Sequence, residues 1–334
     1  MGTIRPPNGF PKKGKHSVGV ARQYCGQLGK QDNCQVAVSM SIANRHASLP
    51  VAYQLYLPKD WAGDPVRRKK AGVPDEITFK TKPEIALDQL KWACEADLPR
   101  GIVLMDAGYG VNTELRQGIT ALGLRYAVGV SPNATVWTAG TAALPPKPST
   151  GRGRPAVRPR RDEQHQPTAI DKLALGLPQD DWHSIEWREG TNTPLKSRFA
   201  RVRVRCAHDP DIPTDDIPWE WLVIEWPDDE AEPTKYWFST LDETISFIDL
   251  VDAIKQRWRI ERDYLELKQE IGLGHFEGRG WRGFHHHATL CIAAYGFLVM
   301  EKAAFPPSET RRQLFRAQPA IPENYRPRGA ATAH

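Results

Sequence analysis

The segment RGIVLMDAGYG, residues 100–110, decides the fold class. Its short apolar run from Ile102 to Met105 ends at Asp106, in front of a glycine turn. An uninterrupted apolar run of this kind is typical of a strand that is covered on both faces, as in the parallel part of an α/β sheet. The segment therefore predicts a buried central strand with an aspartate at its carboxyl end, the edge where α/β folds present their sites.

The neighbouring segments predict the rest of an α/β unit. Helices are predicted at TKPEIALDQLKWACEADLP (81–99) and NTELRQGITALGL (112–124), and strands at CQVAVSMSIA (34–43), LPVAYQLYL (49–57) and RYAVGVS (125–131). Thr81 and Glu84 form a capping box at the start of the first helix. The connection NRHAS between the first two strands suits a hairpin. Residues 20–131 thus have the order β-β-α-β-α-β.

The pattern changes after residue 131 and divides the chain into four parts. Residues 132–170 are rich in Pro, Gly and Arg and predict a linker. In RFARVRVRC, residues 198–206, arginine alternates with apolar residues, as in a strand with one covered face. We divide the chain into a first part of the core (1–131), a linker and β-rich insertion (132–246), C-terminal helices that complete the core (247–304) and a flexible tail (305–334).

Composition and charge favour a globular protein with a polyanionic partner. The chain has 334 residues, of which 40% are hydrophobic and 25% are charged. The net charge is +5 and the pI is about 8.9. Residues 1–31 contain Lys12, Lys13 and Lys15 but no acid, and a second basic run covers residues 151–161. This mild excess of positive charge is consistent with nucleic-acid binding but does not establish it.

Cysteine usage and hydropathy predict a cytoplasmic protein. The five cysteines are scattered along the chain, as is usual for reduced, buried thiols. The N-terminus has no apolar segment typical of a signal peptide. The most apolar stretch, residues 288–300, is too short to span a bilayer and predicts a buried helix.

A basic-striped helix is predicted at RWRIERDYLELK, residues 257–268. Arg257, Glu261 and Lys268 are spaced by four and seven residues, so they share one face. This face has two interpretations: a solvated ion-pair surface, or an acid that holds a metal ion between cations that hold phosphates. Asp106 also has two interpretations: it could cap a turn or bind a metal ion. Two-metal phosphoryl-transfer sites need carboxylates that converge from different elements.

These residues resemble the signature of bacterial insertion-sequence transposases, whose ribonuclease-H-like catalytic domain belongs to the DDE superfamily. The signature is Tyr, two residues, Arg, three residues, Glu, six residues and Lys. Arg257, Glu261 and Lys268 match its last three members. Ile254 stands in place of the tyrosine, which removes one phosphate contact. The segment LMDAGYG is similar to the family's second-aspartate strand, and this similarity assigns that role to Asp106.

The resemblance covers residues 4–302 and implies a fold, an activity and a cofactor. The implied fold is α/β, with a ribonuclease-H-like mixed sheet flanked by helices and a β-rich insertion before the last catalytic helix. The implied activity is DNA strand cleavage and strand transfer with two Mg²⁺ or Mn²⁺ ions, for which Asp106 and Glu261 are the catalytic and metal-binding residues. The implied partner is double-stranded DNA, as transposon ends and target, with a homodimer on the DNA.

The resemblance also implies DNA contacts outside the carboxylates. KYWFSTL resembles the segment of the insertion that stacks an aromatic side chain on a flipped base near the transposon end. Tyr236 or Trp237 could fill this role, and ordinary strand packing is the alternative for both. The cations that we expect at DNA phosphates are Lys12, Lys13, Lys15, Arg257, Lys268, Arg279 and Arg282.

The first strand departs from the family pattern. Relatives have Ile-Asp-Asp-Thr-Gly-Phe-Pro-Lys, which contains the first catalytic aspartate, whereas this chain has Pro6 and Pro7 at the aspartate positions. No acid precedes Asp32, and proline also lacks the N–H that a central strand uses. We therefore expect weak metal binding and little or no DNA cleavage. The missing DNA-binding region at the start suggests an N-terminally truncated transposase.

Other classes of function remain open at the level of the sequence. One is a non-catalytic DNA-binding transposase remnant; another is an inert, poorly folded fragment. An unrelated metal-dependent phosphodiesterase would need a further ligand cluster, which the sequence does not offer. The run HHH at residues 285–287 does not supply one, because adjacent side chains on a helix point in different directions.

Overall fold

The computed structural model describes most of the chain. The described residues are 2–4, 8–44, 46–148, 151, 156, 158–188, 195–207 and 211–305. Pro6 and Pro7, which replace the expected aspartates, lie outside the described residues, and so do residues 306–334 of the predicted tail. None of the helices in the described ranges is long and apolar enough to cross a membrane.

The strands of the described residues belong to one mixed sheet. They are β1 (Gly2–Ile4), β2 (Asn8–Pro11), β3 (Ala21–Cys25), β4 (Lys30–Ala43), β5 (Ser48–Leu55), β6 (Val103–Met105), β7 (Tyr126–Val130), β8 (Thr135–Trp137), β9 (Thr168–Ala169), β10 (His183–Arg188), β11 (Leu195–Cys206), β12 (Glu220–Trp226) and β13 (Lys235–Ser239). The α-helices are α1 (Lys59–Ala62), α2 (Pro65–Ala71), α3 (Lys82–Glu95), α4 (Ala107–Gly110), α5 (Thr113–Ala121), α6 (Ile170–Leu175), α7 (Phe247–Lys255), α8 (Trp258–Gln269) and α9 (Trp281–Ala304).

The centre of the sheet is parallel. Strand β6 pairs in parallel with β1 and β7, so that Leu104 lies between Thr3 and Ala127. Strand β4 is antiparallel to β1 and leads to β5 at the edge. This mixed sheet, flanked by helices, confirms the α/β architecture implied by the ribonuclease-H-like resemblance. Because β1, β6 and β7 run in the same direction, their carboxyl ends meet at one edge.

The β-rich insertion extends this sheet. Strand β13 pairs antiparallel with β7, with Trp237 opposite Gly129, and β12 and β11 follow in order. The prediction of a β-rich insertion before the last catalytic helix is confirmed. Within the predicted linker of residues 132–170, β8 pairs with β11 and buries Trp137. The surrounding Pro, Gly and Arg residues hid this short strand.

Hydrophobic cores lie on both faces of the sheet. Val103 and Met105 of β6 pack with residues of α3 and α5, whereas Leu104 packs on the opposite face with α7. A third core packs α8 and α9 against the β4–β5 hairpin. The predicted capping box is confirmed, since Thr81 and Glu84 cap α3 reciprocally. Because side chains alternate along β6, the residue after Met105, Asp106, faces the same side of the sheet as Leu104.

Candidate active site

Asp106 lies at the junction between a central strand and a one-turn helix. It follows β6 directly and is the N-cap of α4, where its carboxylate accepts a hydrogen bond from the backbone N–H of Tyr109 at 3.3 Å. Its side chain follows Leu104 in the alternation and therefore faces the α7–α8 side of the sheet. The capping interpretation of Asp106 thus holds, and it does not exclude a role for the other carboxylate oxygen.

Two glycines allow α4 to lie directly on β7. An ideal Cβ on Gly110 would lie 1.9 Å from the carbonyl oxygen of Gly129, which is closer than any contact between non-bonded atoms. A Cβ on Gly129 would lie 2.9 Å from the backbone nitrogen of Ala107. The buried guanidinium of Arg116 also donates to the carbonyl of Gly110. These contacts fix the turn that carries Asp106, and nothing in the periodicity of the sequence had indicated them.

Glu261 and Arg257, at the start of α8, are close enough for their charges to shift the pKa of Asp106. They form an ion pair within α8, with 2.8 Å between an Arg257 nitrogen and a Glu261 oxygen, and both side chains are accessible to solvent. Burial raises the pKa of Asp106, and the Arg257 guanidinium and the amides of Tyr109 and Gly108 partly oppose this rise. The charge of Glu261 raises the pKa of Asp106 further. The structure therefore brings the two carboxylates and Arg257 into one electrostatic environment, at the edge where the parallel strands end.

Lys268 lies further along α8 and contacts the N-terminal strand. Its ammonium group donates to the carbonyl of Gly9 at 3.3 Å and lies 4.9 Å from the centre of the Phe10 ring. Lys12, on the same N-terminal segment, donates to the carbonyl of Phe276. Burial lowers the pKa of Lys12. The two lysines join α8, β2 and the segment before α9.

The remaining predicted DNA contacts differ in accessibility. Lys13, Arg279 and Arg282 are exposed. Tyr236 is 4% exposed, and its hydroxyl donates to the carbonyl of Pro233, so its ring cannot stack on a base without repacking of the core. Trp237 is half-buried on the face of β13 that also packs against α7. Of the two aromatic residues, Trp237 is therefore the better placed for a DNA contact.

The structure also shows a buried cation near Trp237 that the sequence did not reveal. The Lys255 ammonium lies 2.5 Å from a Glu225 oxygen and 4.3 Å from the centre of the Trp187 ring. The rings of Phe199 and Trp237 complete this cage at 5.3 Å and 5.6 Å. Burial lowers the pKa of Lys255, and Glu225 opposes the shift. Lys255 thus links the insertion strands to the helix just before Arg257.

Residues 8–194 match the family model of the DDE superfamily endonucleases. The match covers more than half of the chain and includes β6 and Asp106. The chain belongs to this family. The match ends before α7 and α8, so the place of Glu261 in the DDE site rests on the electrostatic environment described above and on the signature around residues 257–268.

A similar protein carries the name of a transposase. The DDE chain is 32% identical over 126 residues to a probable transposase for insertion sequence element IS701 from Microchaete diplosiphon. The aligned part covers 37% of this chain and 30% of that protein, so it spans under a third of the relative's length. Together, the family and this relative support the prediction of a DDE-family insertion-sequence transposase.

Members of the DDE superfamily generally use divalent metal ions, which need several carboxylates at one site. Asp106 and Glu261 supply two carboxylates, and Arg257 already neutralises part of their charge. Within the described ranges, no group of three or more His, Cys, Asp or Glu residues could hold a metal ion. The described residues of this DDE chain therefore do not fit a two-ion centre.

The three adjacent histidines of α9 do not change this conclusion. The Nε2 atom of His285 accepts from the backbone N–H of Leu55 at 3.2 Å, and its Nδ1 atom lies 3.0 Å from the carbonyl oxygen of Trp281. Burial lowers the pKa of His285, which keeps its ring neutral. His287 contacts the carbonyl of Gly272 at 3.0 Å. His285 and His287 therefore serve helix packing.

The raised pKa of Asp106 leads to a prediction about stability. For a carboxyl whose pKa is raised by folding, the stabilisation is complete below the unfolded pKa and is lost as the pH rises through the folded pKa. The Asp106→Asn variant keeps a side-chain oxygen that can cap α4, but it carries no charge that burial would penalise. We therefore expect it to raise the Tm at neutral pH by about 1–3 °C, and to have little effect below the ordinary aspartate pKa of about 4.

Thermal unfolding across this pH range is the measurement, with Asp32→Asn as the control. Asp32 is partly exposed, and its pKa is lowered chiefly by the backbone N–H of Asn33, so its substitution should not stabilise the protein at neutral pH. A lower Tm for Asp106→Asn at neutral pH, or a gain independent of pH, would contradict the assignment of a desolvated carboxylate.

Proposed function

We propose that this chain is a transposase catalytic domain that binds double-stranded DNA but is impaired in strand cleavage. The observation that carries this proposal is the group formed by Asp106, Arg257 and Glu261 at the carboxyl edge of the parallel strands. The guanidinium of Arg257 can hold a phosphate oxygen of the DNA backbone, whereas the two carboxylates alone do not complete the metal centre that cleavage needs.

The impairment follows from the residues available to bind metal. A complete site would hold divalent ions with three carboxylates, and the ions would supply the Lewis-acid chemistry of strand cleavage. Asp106 and Glu261 would be the second and third of these carboxylates, and Pro6 stands at the position of the first. With one negative charge fewer, we expect Mg²⁺ and Mn²⁺ to bind weakly, and Arg257 to remain the principal counter-charge of Asp106 and Glu261.

We also propose the division of labour along the chain. Residues 1–131 and 247–304 form the ribonuclease-H-like core, and residues 132–246 form the insertion that contributes Trp237. The pairing of β13 with β7 supports this division, because it places Trp237 opposite Gly129, next to the turn of Asp106.

The partners we propose are transposon ends and target DNA, bound by a homodimer in the cytoplasm. The basic side chains retained along α8 and the N-terminal segment support DNA affinity. A non-catalytic DNA-binding remnant is the second candidate. The presence of these cations beside an incomplete carboxylate set favours it over an active nuclease.

A nicking assay combined with a binding assay tests the proposal. The DNA is a supercoiled plasmid that carries the terminal repeats of the element, in Mg²⁺ and in Mn²⁺. We expect binding that weakens by about 10²-fold between roughly 50 and 200 mM salt, and little or no nicking. Asp106→Asn serves as the control for contaminating nucleases. Efficient cleavage that Asp106→Asn abolishes would refute the impairment, and absence of salt-dependent binding would refute the DNA-binding function.

A further inference from the structure

A basic pocket lies apart from Asp106 and Glu261. It has a volume of about 260 Å³ and is formed by three segments of the chain. Its charged and aromatic lining residues are Lys15, His16, Trp61, Arg67, Lys70 and Arg279. Lys15 and His16 come from the turn before β3, Arg67 and Lys70 from α2, and Arg279 from the segment before α9. No single segment of the sequence contains this cluster.

The charged lining of the pocket is basic. None of its lining residues is an acid, and within the described ranges none of its lysines or arginines forms an ion pair. The acid nearest in sequence to Arg67, Asp64, is occupied as the N-cap of α2, where it accepts from the backbone N–H of Arg67 at 2.9 Å. Converging cations repel one another unless an anion lies between them, so the pocket is built for a negatively charged group.

One wall of the pocket, formed by Trp61, Arg67 and the backbone of Arg279, is held in place before any ligand binds. The Arg67 guanidinium stacks over the Trp61 ring at 3.8 Å, and the Trp61 side chain is 3% exposed and donates to the carbonyl of Val20 at 2.8 Å. The backbone N–H of Val18 donates to the carbonyl of Arg279 at 3.0 Å. Such preorganisation lowers the entropic cost of binding.

The size and the donors favour a phosphodiester. Arginine supplies planar, bidentate hydrogen-bond donors and lysine supplies a compact positive charge, and both suit phosphate oxygens. A volume of this size corresponds to roughly eight or nine water molecules, enough for a phosphate with part of its sugar and too little for a base pair.

The pocket also continues a basic track from α8. Lys268 lies over Phe10, and Lys12 reaches the carbonyl of Phe276, three residues before Arg279. We propose that this pocket is a second anchor that holds a backbone phosphate of the DNA outside the carboxylate site. This inference rests on the proposed DNA-binding function, and it adds Arg67 and Lys70 of α2 to Lys15 and Arg279, which the sequence already predicts at DNA phosphates.

The test is DNA affinity of the variant Arg67→Gln/Lys70→Gln/Arg279→Gln, measured by fluorescence anisotropy with a labelled duplex of random sequence. The control, Lys69→Gln/Lys91→Gln/Lys172→Gln, removes the same net charge from exposed positions that do not line the pocket. We expect the pocket variant to raise the Kd about tenfold or more and to lower the salt slope by about 1, because one phosphate contact is lost. The control should change the Kd by less than about threefold.

Further measurements distinguish failure of the proposed anchor from failure of DNA binding as a whole. Wild-type protein that binds DNA, with a pocket variant equal to the control, would overturn the anchor and leave DNA binding intact, whereas wild-type protein that binds no DNA would overturn both. If the triple variant does not fold, Lys70→Gln alone should lower the salt slope by about 1. Inorganic phosphate tests the alternative of a free-anion site: a Tm rise in phosphate that the pocket variant loses, without a DNA effect, would contradict the proposal.

Discussion

Replacement of Pro6 and Pro7 by aspartate is expected to raise metal-dependent nicking of plasmid DNA by about 10²-fold or more over the unaltered chain. The reason is electrostatic, because two dications close together require the negative charge that the first aspartate supplies. Strands β1 and β6 are neighbours in the sheet. Strand β1 ends two residues before Pro6, and β6 ends one residue before Asp106. Aspartates at positions 6 and 7 would therefore follow the strand next to the one that leads to Asp106.

The control for this experiment is Pro6→Asn/Pro7→Asn. It removes the same two prolines and restores the same backbone N–H groups, but it adds no charge. We expect this variant to remain as inactive as the unaltered chain in Mg²⁺ and Mn²⁺. Equal activity of the aspartate and asparagine variants would show that proline in the first strand, and not the missing carboxylate, causes the impairment.

Gly110→Ala is expected to destabilise the fold by about 3 kcal/mol. The added methyl would lie 1.9 Å from the carbonyl oxygen of Gly129. This oxygen belongs to the backbone of β7, so no side chain can rotate away to relieve the clash. Relief requires α4 to move off β7, and with it the turn that carries Asp106. We therefore expect a large loss of stability and a displaced carboxylate.

Chemical denaturation compares this variant with Gly108→Ala in the same helix. A Cβ on Gly108 meets no atom closer than 3.4 Å, so alanine should be tolerated and should change the free energy of unfolding by less than about 1 kcal/mol. If the two variants unfold at the same denaturant concentration, α4 does not depend on close packing against β7, and the positioning of Asp106 that we describe is incorrect.

Local sequence patterns predicted the elements around Asp106 well. The β4–β5 hairpin, the capped helix α3 and the strand β6 each have a short-range signal in apolar spacing, turn residues or a capping box. Strand β8 was missed because its few residues lie among prolines and glycines. The pairing of β13 with β7 could not be predicted, because contacts between distant segments leave no local period in the sequence.

The site shows the same limit. Asp106 and Glu261 were proposed from a strand end and from the spacing of the signature. The contact of Gly110 with Gly129 and the basic pocket exist only where separate segments meet, so each residue alone is unremarkable in the sequence. No sequence pattern indicates the buried position of Lys255, because the side chains around its ammonium group come from the separate strands β10, β11, β12 and β13.

Mn²⁺ binding tests most directly whether Asp106 and Glu261 form one site. Isothermal titration calorimetry would compare the Pro6→Asp/Pro7→Asp protein with versions that also carry Asp106→Asn, Glu261→Gln or both. We expect either single change to weaken Mn²⁺ binding about tenfold or more, and the double change to add less than the sum of the two in free energy, because ligands of one ion are coupled. Unchanged Mn²⁺ affinity after Glu261→Gln, with Asp106→Asn effective, would contradict a shared site.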